Sequence, residues 1–195
     1  RMGMDHIGPF LFNGVRFALG SLVLLPLLLA GRNSARSGNT QNHGGRGVKI
    51  WGSLVAGLVL FGGASLQQAG IVYTTAGKAG FITGLYVILV PIVGLKWGHR
   101  ASPGTWIGAL LALWGLYLLS VTGNFSIARG DFLVLLGAFM WAAHVLWISW
   151  LSPRMNPLAL ASLQFAVCSF LSLWTAFILE PISLWRIVKQ KHASN

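Results

Sequence analysis

Six apolar stretches, each about twenty residues long, constrain this chain more than any other feature. They run from Phe10 to Ala30, Ile50 to Gly70, Ala79 to Leu95, Gly104 to Val121, Asp131 to Trp150 and Pro157 to Leu179. A helix of about 20 apolar residues is what crosses the hydrocarbon core of a bilayer. Strands of a membrane barrel are about half that length and alternate apolar with polar residues, and these stretches do not alternate. In lipid each backbone amide must find a partner within the protein, which a lone apolar stretch achieves only by coiling. The expected fold is all-α: a polytopic transmembrane helix bundle of about six helices, in contact with the lipid bilayer and without a soluble domain.

Charge is scarce. Only 9% of the 195 residues are Asp, Glu, Lys or Arg, against about 25% in soluble domains. The net charge of +11 raises nucleic acid as a partner, but the bases lie between apolar runs rather than in one patch. Lys and Arg in the loops of a membrane protein give that pattern, so no nucleic-acid partner is expected. The loops after the first, third and fifth spans share a side and carry seven bases: Arg32, Arg36, Arg46, Lys49, Lys96, Arg100 and Arg154. The opposite side carries Arg1, Lys78 and Arg129, with Arg186, Lys189 and Lys191 in a basic tail. Short internal loops govern orientation, which places the loop between the first two spans in the cytoplasm. The tail then opposes the rule.

Several chemistries lack their residues. Cys168 is the one cysteine, so no intrachain disulfide is expected, and no metal cluster or cofactor is called for. The chain carries no P-loop, no H-E-x-x-H and no G-x-S-x-G, the motifs of an ATPase, a metalloprotease and an α/β-hydrolase. No enzyme is expected. No carboxylate falls deep in a span, because Asp5, Asp131 and Glu180 all lie near ends.

Polar side chains within spans are costly and point to function. Arg16 lies about six residues into the first span, where it either holds an anionic group of a substrate or snorkels to the nearby interface. Gln67 and Gln68 lie late in the second span, followed by Tyr73, Thr74, Thr75 and Lys78. Backbone donors at the start of the third span, with the Lys78 ammonium, suit an anion; the alternative is a solvated loop with an interfacial lysine. Trp141 and His144 are three apart on the fifth span and share a face. His144 either binds substrate or carries a proton, since imidazole titrates near neutral pH, or it donates to a carbonyl of a neighbouring helix. Tyr86 lines a cavity or packs. Asn13 and Gln164 suit hydrogen bonds between helices. Gly80 and Gly84, and Gly104, Gly108 and Ala112, recur at four-residue spacing that allows helices to approach closely. Pro26 and Pro91 are expected to kink their helices.

The first and sixth spans align with an offset of 148 positions, from Pro9 to Pro157. Phe17 falls on Phe165, Ala18 on Ala166, Ser21 on Ser169 and Leu25 on Leu173, while Arg16 falls on Gln164. Units five spans apart are inverted, as in many transporters, and two such units take roughly 300 residues and ten helices.

Three segments carry a family resemblance. They are Gly8-Pro-Phe-Leu-Phe-Asn-Gly-Val-Arg-Phe; the long stretch from Ser65 to Ile92, Ser-Leu-Gln-Gln-Ala-Gly-Ile-Val-Tyr-Thr-Thr-Ala-Gly-Lys-Ala-Gly-Phe-Ile-Thr-Gly-Leu-Tyr-Val-Ile-Leu-Val-Pro-Ile; and Gly130-Asp-Phe-Leu-Val-Leu-Leu-Gly-Ala-Phe-Met-Trp-Ala. Together they resemble EamA-type members of the drug/metabolite transporter superfamily over about residues 8 to 180. The resemblance implies ten helices in two inverted five-helix repeats with cytoplasmic termini, and export or exchange of small metabolites through a central cavity. It implies a multi-pass protein of the cell membrane, in a bacterium the inner one. In that register the six spans are the second to the seventh, so the chain is expected to be partial. Residues 1–121 would be the remainder of the first repeat, 131–180 the start of the second, and 181–195 a polar basic tail. The expected substrate-binding residues are Arg16, Gln67, Gln68, Tyr73, Lys78, Tyr86, Trp141 and His144. Expected partners are lipid, a small-molecule substrate and either a second copy or a complementing chain. The competing reading is a membrane subunit that transports nothing.

Overall fold

A computed structural model describes residues 8–34, 45–96, 98, 102–120 and 128–180 of the chain. The helices, in order, are α1 (Pro9–Ser34), α2 (Arg46–Val72), α3 (Ala76–Gly84), α4 (Tyr86–Lys96), α5 (Pro103–Ser120), α6 (Arg129–Leu151) and α7 (Pro157–Leu179), with a 3-10 turn at Ser152–Arg154. No strand occurs among the described residues. Asp5 and the charged tail from residue 181 lie outside them, as do Arg1, Arg36 and Arg100.

Among the described residues, five segments are long and apolar enough to cross a bilayer: Pro9–Ala30, Gly47–Val72, Ala76–Leu95, Arg129–Arg154 and Pro157–Leu179. The protein is a multi-pass, all-α membrane protein. The remaining helix, α5, has 18 residues, and at 1.5 Å per residue it reaches about 27 Å, the short limit for a span. The outward faces are greasy: Val23 is 67% and Phe177 74% exposed. Such exposure is stable only where the solvent is itself hydrocarbon.

The third span, Ala76–Leu95, passes from α3 to α4 at Leu85, a single turn residue that keeps helical φ −58° and ψ −23° while its amide folds back on the carbonyls of Ile82 and Thr83. Six residues on, Pro91 lies inside α4; it has no N–H to give the carbonyl one turn before it.

The chain packs as two units, one formed by residues 1–61 with 150–195 and one by residues 62–149. In the first unit α1 and α7 lie antiparallel. Ser21 Oγ donates to the Ser162 carbonyl at 3.1 Å, and Ser169 Oγ donates to the Gly14 carbonyl at 2.8 Å. At the 148-residue offset these two bonds are images of each other, since Ser21 maps to Ser169 and Gly14 to Ser162. Between them Phe17 meets its own counterpart Phe165, with ring centroids 5.5 Å apart. The contact is therefore self-complementary, as at a two-fold interface. Gly14 lets the backbones close: a Cβ there would lie 2.6 Å from Leu173.

In the second unit the end of α2 runs antiparallel against α6. A Cβ on Gly70 would lie 2.6 Å from Val134, one on Gly137 3.3 Å from the Gly63 carbonyl, and one on Gly130 would strike the Gly70 carbonyl. Here α3 and α4 pack on α5, with Phe81 edge-on to Tyr117 at 6.3 Å.

These are not the glycines whose spacing suggested close packing. A Cβ on Gly80 or on Gly108 would meet nothing within 4 Å, so neither residue lies at a tight crossing among the described residues. In α5 it is Ala109, at 3% exposure, that turns inward.

Candidate functional site

The second unit collects polar side chains from three helices at one place. Gln67 on α2 donates through Nε2 to Thr83 Oγ1 on α3 at 3.0 Å, and accepts through Oε1 from the indole N–H of Trp141 on α6 at 3.2 Å. Indole can only donate, so Trp141 fixes which end of the Gln67 amide is oxygen. The amide hydrogen then points to Thr83, whose hydroxyl accepts and keeps its own proton to give onward. One turn along α6, His144 meets Trp141 edge-on, with centroids 5.9 Å apart and planes at 87°.

Each helix delivers its residue for a local reason. Trp141 and His144 share a face because they are three apart on a continuous helix. Gln67 reaches α6 because Gly63, Gly70 and Gly137 let α2 and α6 approach. Thr83 sits two residues before the α3–α4 turn. The group comprises a carboxamide, a hydroxyl, an indole and an imidazole. It is suited to recognising polar, hydrogen-bonding groups rather than to bond chemistry.

The other expected residues part from this group or only border it. Gln68 is buried at 9% exposure. Tyr86, half-buried, opens α4 just past the turn. Tyr73 is 65% exposed in the turn after α2. Its neighbour Thr74 is buried and donates to the Asp131 carboxylate, which also accepts from the Ala128 amide at 2.8 Å. The start of α3 is not open for an anion at every donor. Thr75 is its N-cap and takes the Lys78 amide at 3.3 Å.

In the first unit Arg16 lies back along α1. Its Nη2 donates to Asn13 Oδ1 at 3.0 Å, and its guanidinium stands 4.8 Å from the Phe17 ring centre and 5.7 Å from that of Phe12. Helical side chains lean toward the N-terminus, so this posture carries the charge toward the start of α1. Asn13 beneath it has no exposed surface. Sequence reasoning missed Thr83 and the Glu180 carboxylate, which accepts from the Phe10 and Leu11 amides at 3.0 and 3.1 Å. Thr83 stands in an apolar run where threonine is ordinary. Glu180 follows the last apolar turn and resembles a boundary residue.

Among the described residues no three His, Cys, Asp or Glu side chains come close enough to hold a metal. Residues 1–121 match the EamA-like transporter family. A protein of Archaeoglobus fulgidus described as an uncharacterized transporter is 35% identical over 165 residues, which is 84% of this chain and 47% of that protein. The chain thus spans about half the length of the curated relative it matches. No solved structure matches it.

Proposed function

Because the chain belongs to the EamA-like transporter family, we propose that it carries small polar metabolites across the cell membrane as an exporter or exchanger. In this reading Gln67, Thr83, Trp141 and His144 bind the substrate. The observation that carries it is the hydrogen-bonded bridge of Gln67 to both Thr83 and Trp141, beside the turn between α3 and α4. Polar groups cost too much in a membrane to be gathered there without use. The substrate's own donors and acceptors would compete for the Thr83 proton and the amide edges. His144 would either hydrogen-bond to it or exchange a proton with it.

Arg16 belongs to the proposal as a separate element, an attraction for anionic groups entering along α1. Gln68, Tyr73, Lys78 and Tyr86 are proposed as surroundings of the path rather than as its centre. The protein is read as belonging to an inverted-repeat architecture, resident in an inner membrane, and working with a second copy or a complementing chain.

Purified protein in proteoliposomes loaded with a mixed pool of amino acids and nucleosides provides the test. Saturable counterflow of labelled members of that pool is expected, reduced about ten-fold or more by Gln67→Ala and by His144→Ala. Undiminished counterflow in both variants would remove the site. No counterflow of any labelled solute, from a chain that stays monomeric in mild detergent, would favour a membrane interaction subunit.

A further inference from the structure

We propose that Glu180 is a detachable clasp that holds the start of α1 to the end of α7, and that its release opens that end of the helix pair. The otherwise two-fold arrangement of α1 and α7 carries one asymmetry. Gly8 and Asn156 occupy equivalent places at the 148-residue offset. Each precedes a proline, and each gives its carbonyl to the residue four on: Phe12 N to Gly8 O and Leu160 N to Asn156 O, both at 3.0 Å. Both are therefore helix N-caps.

An N-cap side chain normally accepts from the second and third amides of its helix. In α7 Asn156 does this for itself, taking Leu158 N at 2.8 Å and Ala159 N at 3.3 Å through Oδ1. In α1 the cap is glycine and has no side chain to offer. The equivalent amides, Phe10 N and Leu11 N, are taken instead by the two carboxylate oxygens of Glu180, at 3.0 and 3.1 Å. A Cβ built on Gly8 would fall on the Glu180 carboxyl group, so the glycine makes the space that the carboxylate fills.

A cap supplied by another helix does what a self-cap cannot. It couples the order of the first turn of α1 to the position of the last turn of α7. The bond is an anion on two amides at the positive end of a helix dipole, favourable yet reversible. Elsewhere the pair is held by the serine–carbonyl bonds and the Phe17–Phe165 contact, about which the clasped end can move. By the orientation that the loop charges favour, the clasp lies on the side away from the cytoplasm. It does not depend on the substrate site proposed above.

The test separates capping from clasping. The full chain carrying Cys168→Ala is spin-labelled at Val15→Cys and Ile178→Cys, both exposed positions, and studied in micelles by pulsed electron resonance and amide exchange. Glu180→Ala should speed exchange of the Phe10 and Leu11 amides about five-fold or more and broaden the label distance toward longer values. Gly8→Asn with Glu180→Ala gives α1 its own cap, so slow exchange should return while the distance stays broad. This double variant carries the test if Glu180→Ala does not fold. A narrow, unchanged distance in either variant overturns the clasp, as does exchange that Glu180→Ala leaves slow.

Discussion

The Gln67 amide is held in one orientation by two neighbours of unequal chemistry. Trp141 can only donate, whereas Thr83 can do both. Trp141→Phe keeps a ring against His144 but leaves the half-buried Gln67 Oε1 without its donor, a loss of at most about 1–3 kcal/mol. Counterflow by this variant is expected to fall about ten-fold with the protein still folded; full activity would show that the indole N–H has no part in binding. Thr83→Ser should keep the activity that Thr83→Val loses, since only the former retains the hydroxyl. Much of this group could be read from sequence. Gln67 is a costly residue in a span, and Trp141 and His144 stand at helical spacing. Thr83 could not, because a threonine satisfied within its own helix and one turned to a neighbour read alike.

At the scale of the element, glycine separates two kinds of helix surface. Gly130 lies against the Gly70 carbonyl, while a Cβ on Gly80 would meet nothing within 4 Å among the described residues. Gly130→Ala must push α2 and α6 apart, at an overpacking cost of about 1–3 kcal/mol. It is expected to lower the midpoint of thermal unfolding in detergent. Gly80→Ala meets nothing and gains helix propensity, up to about 1 kcal/mol, so its midpoint should hold or rise. Equal losses in the two variants would contradict the packing described. The contrast also explains what the sequence could and could not disclose about the elements. The start of α7 was legible, because Asn156 and Pro157 are strong cap and first-turn residues. Four-residue spacing among glycines was not a guide to crossings. In helices apolar all round, no polar face marks which side meets a neighbour. The turn at Leu85 had no proline to announce it, and Pro91, six residues later, lies inside α4.

At the scale of the whole molecule, the outstanding physical question is orientation, which packing does not decide and loop charge does. Seven Lys and Arg share the side expected to be cytoplasmic, and three stand opposite before the tail. Gly45 and Ala76 are both exposed and flank α2, whose 26 spanning residues reach about 39 Å at 1.5 Å each. The two positions must therefore lie on opposite faces of a bilayer. Cys168 is buried and gives little background to a charged maleimide, so single cysteines at Gly45 and Ala76 can be compared in the otherwise native chain. In intact cells Ala76→Cys should label and Gly45→Cys should not, and inverted vesicles should reverse the order. Labelling of both from one side would mean that α2 does not cross, and the six-span reading would fail at its longest helix. A clean result with the sides exchanged would keep the fold but show that the three tail bases outweigh the loops. The Glu180 clasp would then face the cytoplasm, within reach of whatever there competes for the first amides of α1.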